Sequence, residues 1–254
     1  MSTTDDLVPV LKKLRMSGVL QTLSLRLQQM GDDQLDATEF LYRLLSDEVE
    51  RRDAKQLKQR LQRASFEHRK TLEDFDFQFN PKIPKTKVIE LAGCTFIDRH
   101  ENLLLVGPCG VGKSHLAQAM GHRAIRRGHS VVFTTAAQFF SQLRAGRGDQ
   151  SYERRFLKYT APQLLIVDDL GLRGLRSDEP EDLHDLIRAR YERGSTIFTS
   201  NRDLSEWPPL FGDALMASAA LDRLLHHSHI VELHGQSYRN PAQRQPVVAV
   251  VATN

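Results

Sequence analysis

The sequence has only two cysteines in 254 residues and no apolar run that approaches the ~20 residues needed to span a bilayer. So few cysteines exclude a disulfide framework and predict a reducing, cytoplasmic environment. The N-terminus is acidic at Asp5 and Asp6 and lacks an uninterrupted apolar stretch, so we expect neither a secretory signal nor a membrane anchor. No internal repeat or low-complexity tract is visible.

The net charge of +3 is too small by itself to indicate a nucleic-acid partner, but the charge is unevenly distributed. The segment 51–70 is strongly basic, and its basic residues are Arg51, Arg52, Lys55, Lys58, Arg60, Arg63, Arg69 and Lys70. A concentrated basic face can contact phosphates and release counterions. A solvated helix face with no partner would show the same pattern, and both interpretations stay open.

The spacing of apolar residues predicts four regions along the chain. Residues 1–72 have helical periodicity and predict a small all-α N-terminal domain, with a helix that begins near Asp36. Residues 73–90 read as a linker whose phenylalanines pack on the next domain, because Asn-Pro and Ile-Pro steps interrupt the pattern. Residues 91–238 alternate strands with helices and predict an α/β core with a mostly parallel sheet flanked by helices. Residues 239–254 form a tail with an apolar, strand-like run at 247–251.

One motif dominates the α/β region. The apolar strand 103–106 leads into G-x4-G-K-S, and a helical pattern follows. The motif and its flanking residue are Gly107, Pro108, Cys109, Gly110, Val111, Gly112, Lys113, Ser114 and His115. A glycine-rich turn between a strand and a helix N-terminus directs backbone N–H groups and the positive end of the helix dipole at phosphates. Lys113 can reach the β- and γ-phosphates, and Ser114 can ligate Mg²⁺, so the motif predicts a nucleoside triphosphate with magnesium.

Polar residues that end two further apolar strands predict the rest of this site. Asp168 directly follows strand 164–167, at the sheet edge where ligands bind in open α/β folds, and is expected to hold Mg²⁺. Asp169 can orient and polarise the attacking water as a general base. Asn201 ends strand 196–200, and its amide can bond both the γ-phosphate and that water. For Asn201 a simple strand cap remains the alternative.

The order of these motifs resembles the AAA+ ATPases of the helicase-loader clade, and more narrowly the IstB-like helper ATPases of bacterial insertion sequences. The resemblance rests on the phosphate loop, the Asp168-Asp169 pair, Thr199-Ser200-Asn201 and the segment 221–228, and it covers nearly the whole chain up to about Tyr238. It implies an AAA+ core with ATP and Mg²⁺ bound between the subunits of a homo-oligomer. It also implies an ATPase that regulates DNA transposition by assembling on and deforming double-stranded DNA and recruiting the cognate transposase.

The resemblance suggests further roles. Arg223 is the candidate arginine finger that reaches the γ-phosphate bound by a neighbouring subunit. A purely structural role for Arg223 remains the alternative, because related ATPases carry the finger arginine at the position where this chain has His227. Arg144 and Arg147, in an expected glycine-bearing loop at 144–148, join the basic segment as candidate DNA contacts. A replicative helicase loader, or a nucleotide-gated DNA-binding adapter with little turnover, remains the alternative function.

Overall fold

The computed structural model describes residues 4–33 and 35–239, so the apolar run at 247–251 lies outside the described residues. The chain divides into two compact units, Met1–Arg60 and Leu61–Asn254. The boundary drawn from the sequence after residue 72 stays a prediction. Over the described residues, no helix combines the length and apolar character required to cross a membrane.

Helices form the first unit. They are α1 (Thr4–Lys13), α2 (Ser17–Asp32) and α3 (Ala37–Ala64), and α3 continues past the unit boundary. Asp36 caps α3, as its sequence predicts, by accepting a hydrogen bond from the Glu39 N–H at 2.8 Å. The buried carboxylate of Glu48 accepts the N–H of Gly18 at 2.5 Å, so α3 satisfies a donor that the first turn of α2 leaves free.

The second unit contains a parallel sheet between helices. Its elements are α4 (Lys85–Leu91), α5 (Thr95–Asp98), β1 (Asn102–Val106), α6 (Lys113–Arg126), β2 (Val131–Thr135), α7 (Ala136–Gly148), α8 (Tyr152–Thr160), β3 (Leu164–Leu170), α9 (Glu179–Arg190), β4 (Ser195–Ser200), α10 (Ala214–His226) and β5 (Ser228–Glu232). Within the described residues the sheet has five strands in the order β2-β3-β4-β1-β5, and its strand pairs are parallel. The α/β fold predicted from the sequence is confirmed.

The strand order explains where a ligand can bind. Strands β1, β3 and β4 are buried in the middle of the sheet, and all end at the same edge because they are parallel. The phosphate loop follows β1, the two aspartates lie in the last part of β3, and Asn201 follows β4. The fold therefore brings three separate motifs to one edge, at the carboxyl ends of the strands.

Two predicted irregular segments are helical instead. Residues 85–90 of the expected linker belong to α4, because Pro84 precedes its first turn and Val88 and Leu91 bury one helical face. The expected loop at 144–148 is the last part of α7, which ends only at Gly148. In this second case the glycine content of the sequence was misleading: Gly146 is buried in the helix, where an added Cβ would meet the backbone of Tyr152 at 3.0 Å.

Candidate nucleotide-binding site

The turn between β1 and α6 has the conformation that its glycines permit. Gly107, Gly110 and Gly112 have φ angles of +144°, +84° and +106°, which residues with side chains rarely adopt. There is also no room for a side chain at Gly107, because a Cβ there would collide with the carbonyl oxygen of Leu233. The loop leads directly into α6, which begins at Lys113, so the loop and the helix N-terminus form one concave surface suited to phosphate.

Lys113 is 6% exposed and folds back over this loop. Its ammonium group donates to the carbonyl oxygens of Gly107 at 2.7 Å and Pro108 at 2.8 Å. Burial lowers the pKa of Lys113, while the negative charges of Asp169 and Asp168 act in the opposite direction. The side chain is thus placed over the phosphate loop and close to the acidic pair.

Asp168 and Asp169 differ in burial although they are neighbours. Asp168 is 4% exposed, whereas Asp169 is exposed and lines the cavity beside the phosphate loop. Burial raises the pKa of Asp168, and the hydroxyls of Thr199 and Ser114 oppose that rise, so the Ser114 hydroxyl lies close to this carboxylate. A serine hydroxyl beside a buried carboxylate is an oxygen donor set that fits Mg²⁺. The residues present therefore match the predicted ion.

Asn201 lies at the sheet edge directly after β4. Strand β4 is the neighbour of both β1, which leads to the phosphate loop, and β3, which carries the aspartates. The Asn201 side chain is exposed. The position suits a group that contacts the terminal phosphate, and the sensor role assigned to Asn201 stays a prediction.

Sequence reasoning missed much of the opposite wall of this site. A cavity of about 320 Å³ is lined by Cys109–His115 and Asp169 on one side and, on the other, by Lys70, Asp74, Phe75, Asp76, Phe79, Asn80, Tyr238 and Arg239. Phe75, one of the phenylalanines expected to pack on the α/β core, does so: its ring lies edge-on to His115 at 5.2 Å and would touch a Cβ added to Gly112.

Asn80 and Tyr238 tie this wall together. The buried Asn80 amide donates to the carbonyl oxygen of Gln236 and accepts from its N–H, each at 3.0 Å. The N–H of Tyr238 donates to the carbonyl of Gly110 at 2.9 Å. In the sequence, the Asn-Pro step marks Asn80 only as a break in the helical pattern, and no local pattern marks Tyr238.

Arg223 lies on another surface of the same unit. It is half-buried on α10, donates to the carbonyl of Ala219 at 2.8 Å, and lines a surface cavity with Arg188, Ala189, Tyr191, Glu192 and Arg193. The structure does not bring Arg223 to the phosphate loop of its own chain. A role in a neighbouring subunit's site stays a prediction.

Arg144 and Arg147 are engaged within the protein. Arg144 pairs with Glu179 at 2.8 Å, and Arg147 forms a two-bonded pair with Asp182 at 2.7 and 2.9 Å. Both carboxylates are almost fully buried, at 3% and 2% exposure. These arginines therefore neutralise buried acids, since an unpaired buried charge is costly. Their predicted contact with DNA stays untested, and the loop on which it was based is a helix.

The other candidate DNA contacts lie along α3 and differ in their surroundings. Arg52 pairs with the buried Glu48 at 2.7 Å, whereas Lys55 and Lys58 are exposed on α3. Arg51 is half-buried on the same helix. Arg51, Lys55 and Lys58 follow one another at intervals of four and three residues, so they share one side of the helix.

Comparison with known proteins gives a consistent result. The family model described as "IstB-like ATP binding protein" matches residues 9–246. The chain is 42% identical over 230 residues to an insertion-sequence ATP-binding protein of Mycobacterium tuberculosis, covering 90% of this chain and 92% of that protein. It is 37% identical over 240 residues to the ATP-binding protein of insertion sequence IS21 of Pseudomonas aeruginosa, covering 94% and 91%.

The fold is also similar to that of a solved structure. The crystal structure of DnaI superimposes with a TM-score of 0.56 and 22% identity, over 65% of this chain and 92% of that chain. At this identity the likeness concerns the fold alone, and it agrees with the parallel α/β core of the second unit.

Proposed function

This chain belongs to the IstB-like ATP-binding protein family, and on that premise we propose that it is an ATPase that assembles on duplex DNA and recruits the transposase of its insertion sequence. The observation that carries the proposal is the single sheet edge at which Lys113, Ser114 and the acidic pair meet beside a cavity of about 320 Å³. A site that only bound nucleotide would not need an exposed carboxylate there.

The proposed division of labour follows from position. The loop 107–112 and the N-terminus of α6 bind the phosphates, and Lys113 moves from its carbonyl partners to phosphate oxygens. Ser114 and Asp168 would hold Mg²⁺, which would supply positive charge against the phosphates. Asp169 accepts a proton from the attacking water, and Asn201 orients that water. ATP sites between subunits, with Arg223 supplied by the neighbour, would make assembly depend on nucleotide.

Replacing Lys113 with alanine tests nucleotide control of assembly. The change removes charged hydrogen bonds to phosphate worth about 1.5–3 kcal/mol, so we expect ATP affinity to fall about 10- to 100-fold. Sedimentation velocity with duplex DNA and MgATP should then show no large complex at ATP concentrations that saturate the wild type. Wild-type protein without Mg²⁺ is the control, and a melting curve verifies folding. Normal assembly of the variant would show that ATP does not govern it.

We assign the proposed DNA contact to the basic side of α3. Changing Arg51, Lys55 and Lys58 together to glutamine should weaken duplex binding. The slope of log K against log salt should also become shallower, by about 0.9 for each phosphate that the protein no longer neutralises. Fluorescence anisotropy with a labelled duplex at several salt concentrations measures both quantities.

Arg43→Gln is the matched control for this experiment, because Arg43 lies on the same helix but pairs with Glu39 at 2.6 Å. It should leave the salt slope unchanged. If the triple variant keeps the wild-type slope, the DNA contact lies elsewhere. A preference for single-stranded DNA together with capture of a hexameric helicase would favour a helicase loader instead.

A further inference from the structure

Strand β3 changes register at the point where it carries the acidic pair. Val167 pairs with Phe198, and the next pair is Leu170 with Ser200, so three steps on β3 correspond to two steps on β4. The extra residue is a β-bulge, a device that redirects side chains. Asp169 within it has φ = +58°, in the left-handed region that most residues with side chains avoid. At this irregular point of the strand Asp168 is buried and Asp169 is exposed.

A bulge breaks the backbone ladder, and side chains of β4 and the residues after it replace the missing bonds. The hydroxyl of Ser200 donates to the carbonyl of Leu170 at 2.7 Å, and the guanidinium of Arg202 donates to the carbonyl of Gly171 at 2.5 Å. Thr199 lies opposite the acidic pair and is fully buried. Its hydroxyl accepts the N–H of Asp169 at 2.9 Å and donates to the carboxylate oxygen Oδ1 of Asp168.

These two hydrogen bonds occupy both the proton and a lone pair of the Thr199 hydroxyl. A hydroxyl has one proton, and the carboxylate can only accept it, so the proton is committed to Asp168 and a lone pair is committed to the Asp169 N–H. One oxygen atom therefore fixes the side chain of the first aspartate and the backbone of the second. Sequence reasoning treated Thr199 only as part of a family signature.

We propose that Thr199 is a positioning residue that sets the metal-binding carboxylate of Asp168 and the water-activating carboxylate of Asp169 in one fixed relation. The inference rests on the proposed ATPase function and deepens it. Residues that orient a metal ligand through a hydrogen bond typically change metal affinity or activity by about 10–100-fold when they are removed. Thr199 would do so for two groups at once.

Thr199→Val is the decisive variant, because valine keeps the shape of threonine and removes only the hydroxyl. In the full-length protein we expect kcat for ATP hydrolysis to fall about 10–100-fold. Mn²⁺ affinity of the ATP-analogue complex, measured by electron paramagnetic resonance, should fall by a similar factor. Binding of the analogue without metal should stay within a factor of about two, because the phosphate loop is untouched.

Two further variants separate positioning from packing. Thr199→Ser restores the hydroxyl and should recover most of the metal affinity and kcat. Ser200→Ala removes a neighbouring buried hydroxyl that bonds Leu170 rather than the acidic pair. It should lower the melting temperature about as much as Thr199→Val does, but it should leave Mn²⁺ affinity unchanged. If the serine variant is as impaired as the valine variant, or if the valine variant binds Mn²⁺ like the wild type, the proposal is wrong.

The two readouts also distinguish this proposal from the function on which it rests. A wild-type protein that binds Mn²⁺ and the ATP analogue but never hydrolyses ATP, with or without DNA, would refute the ATPase function. Thr199 would then be judged on Mn²⁺ affinity alone, and a loss in Thr199→Val with recovery in Thr199→Ser would still support its positioning of Asp168.

Discussion

Replacing Asp169 with asparagine is expected to reduce kcat for ATP hydrolysis by about 10²–10⁴-fold, the usual contribution of a positioned general base. Asparagine is nearly the same size and cannot accept the proton of the attacking water at neutral pH. It is also one of the few residues that tolerate a left-handed backbone, so the φ of +58° at this position should be retained. Steady-state kinetics and equilibrium binding of a labelled ATP analogue test the expectation.

The change should separate turnover from binding. Affinity for the magnesium-bound analogue should stay within a few-fold of the wild type, because Asp168 and Ser114 are unaltered. Asp168→Asn is the matched comparison, because it removes the buried carboxylate assigned to the metal. It should lower both the affinity for Mg²⁺ and kcat. Unchanged hydrolysis in Asp169→Asn would remove this residue from the mechanism.

Replacing Arg190 with leucine is expected to cause the largest loss of stability among these changes. Arg190 is 3% exposed at the end of α9, and it donates to the Thr196 hydroxyl and to the backbone carbonyls of Tyr159, Thr160, Pro162, Gln163 and Ser195. Burial lowers its pKa to about 10, so it remains charged at neutral pH. Leucine would remove the guanidinium donor from all of these acceptors, at about 1–3 kcal/mol for each buried one that finds no other partner or water. The Gln163 carbonyl would keep the N–H of Ser195 as a partner at 2.9 Å.

Because such losses do not add, we expect a total of about 3–5 kcal/mol in the free energy of unfolding. Urea unfolding followed by circular dichroism measures it. Arg188→Leu is the control on the same helix, since Arg188 is 67% exposed and should change the unfolding free energy by no more than about 0.5 kcal/mol. A similar small effect at both positions would show that Arg190 does not hold the starts of β3 and β4 together.

The sequence was sufficient for the features that depend on local patterns. G-x4-G-K-S after an apolar strand predicts the loop between β1 and α6, and the residues that end β3 and β4 predict a shared sheet edge. The parallel sheet follows from strands that alternate with helices. These predictions succeed because each depends on a short run of residues and on the direction of neighbouring strands.

Features that depend on distant partners could not be predicted in this way. In the sequence, Arg144 and Arg147 have no visible acidic partner. Their partners, Glu179 and Asp182, each lie 35 residues further along the chain. Arg190 carries no motif, although acceptors from separate segments converge on its guanidinium. The bulge at Asp169 also escaped detection, because nothing in an Asp-Asp pair tells which residue is turned outward.

The most direct test of the account is a structure of the Asp169→Asn protein with ATP and Mg²⁺. We expect uncleaved ATP, with its phosphates on the loop 107–112 and Lys113 moved from its carbonyl partners to the phosphate oxygens. Mg²⁺ should be held by the Ser114 hydroxyl and, directly or through one water, by Asp168. ATP bound elsewhere, or a metal ion remote from Ser114 and Asp168, would contradict the claim that these motifs form one site.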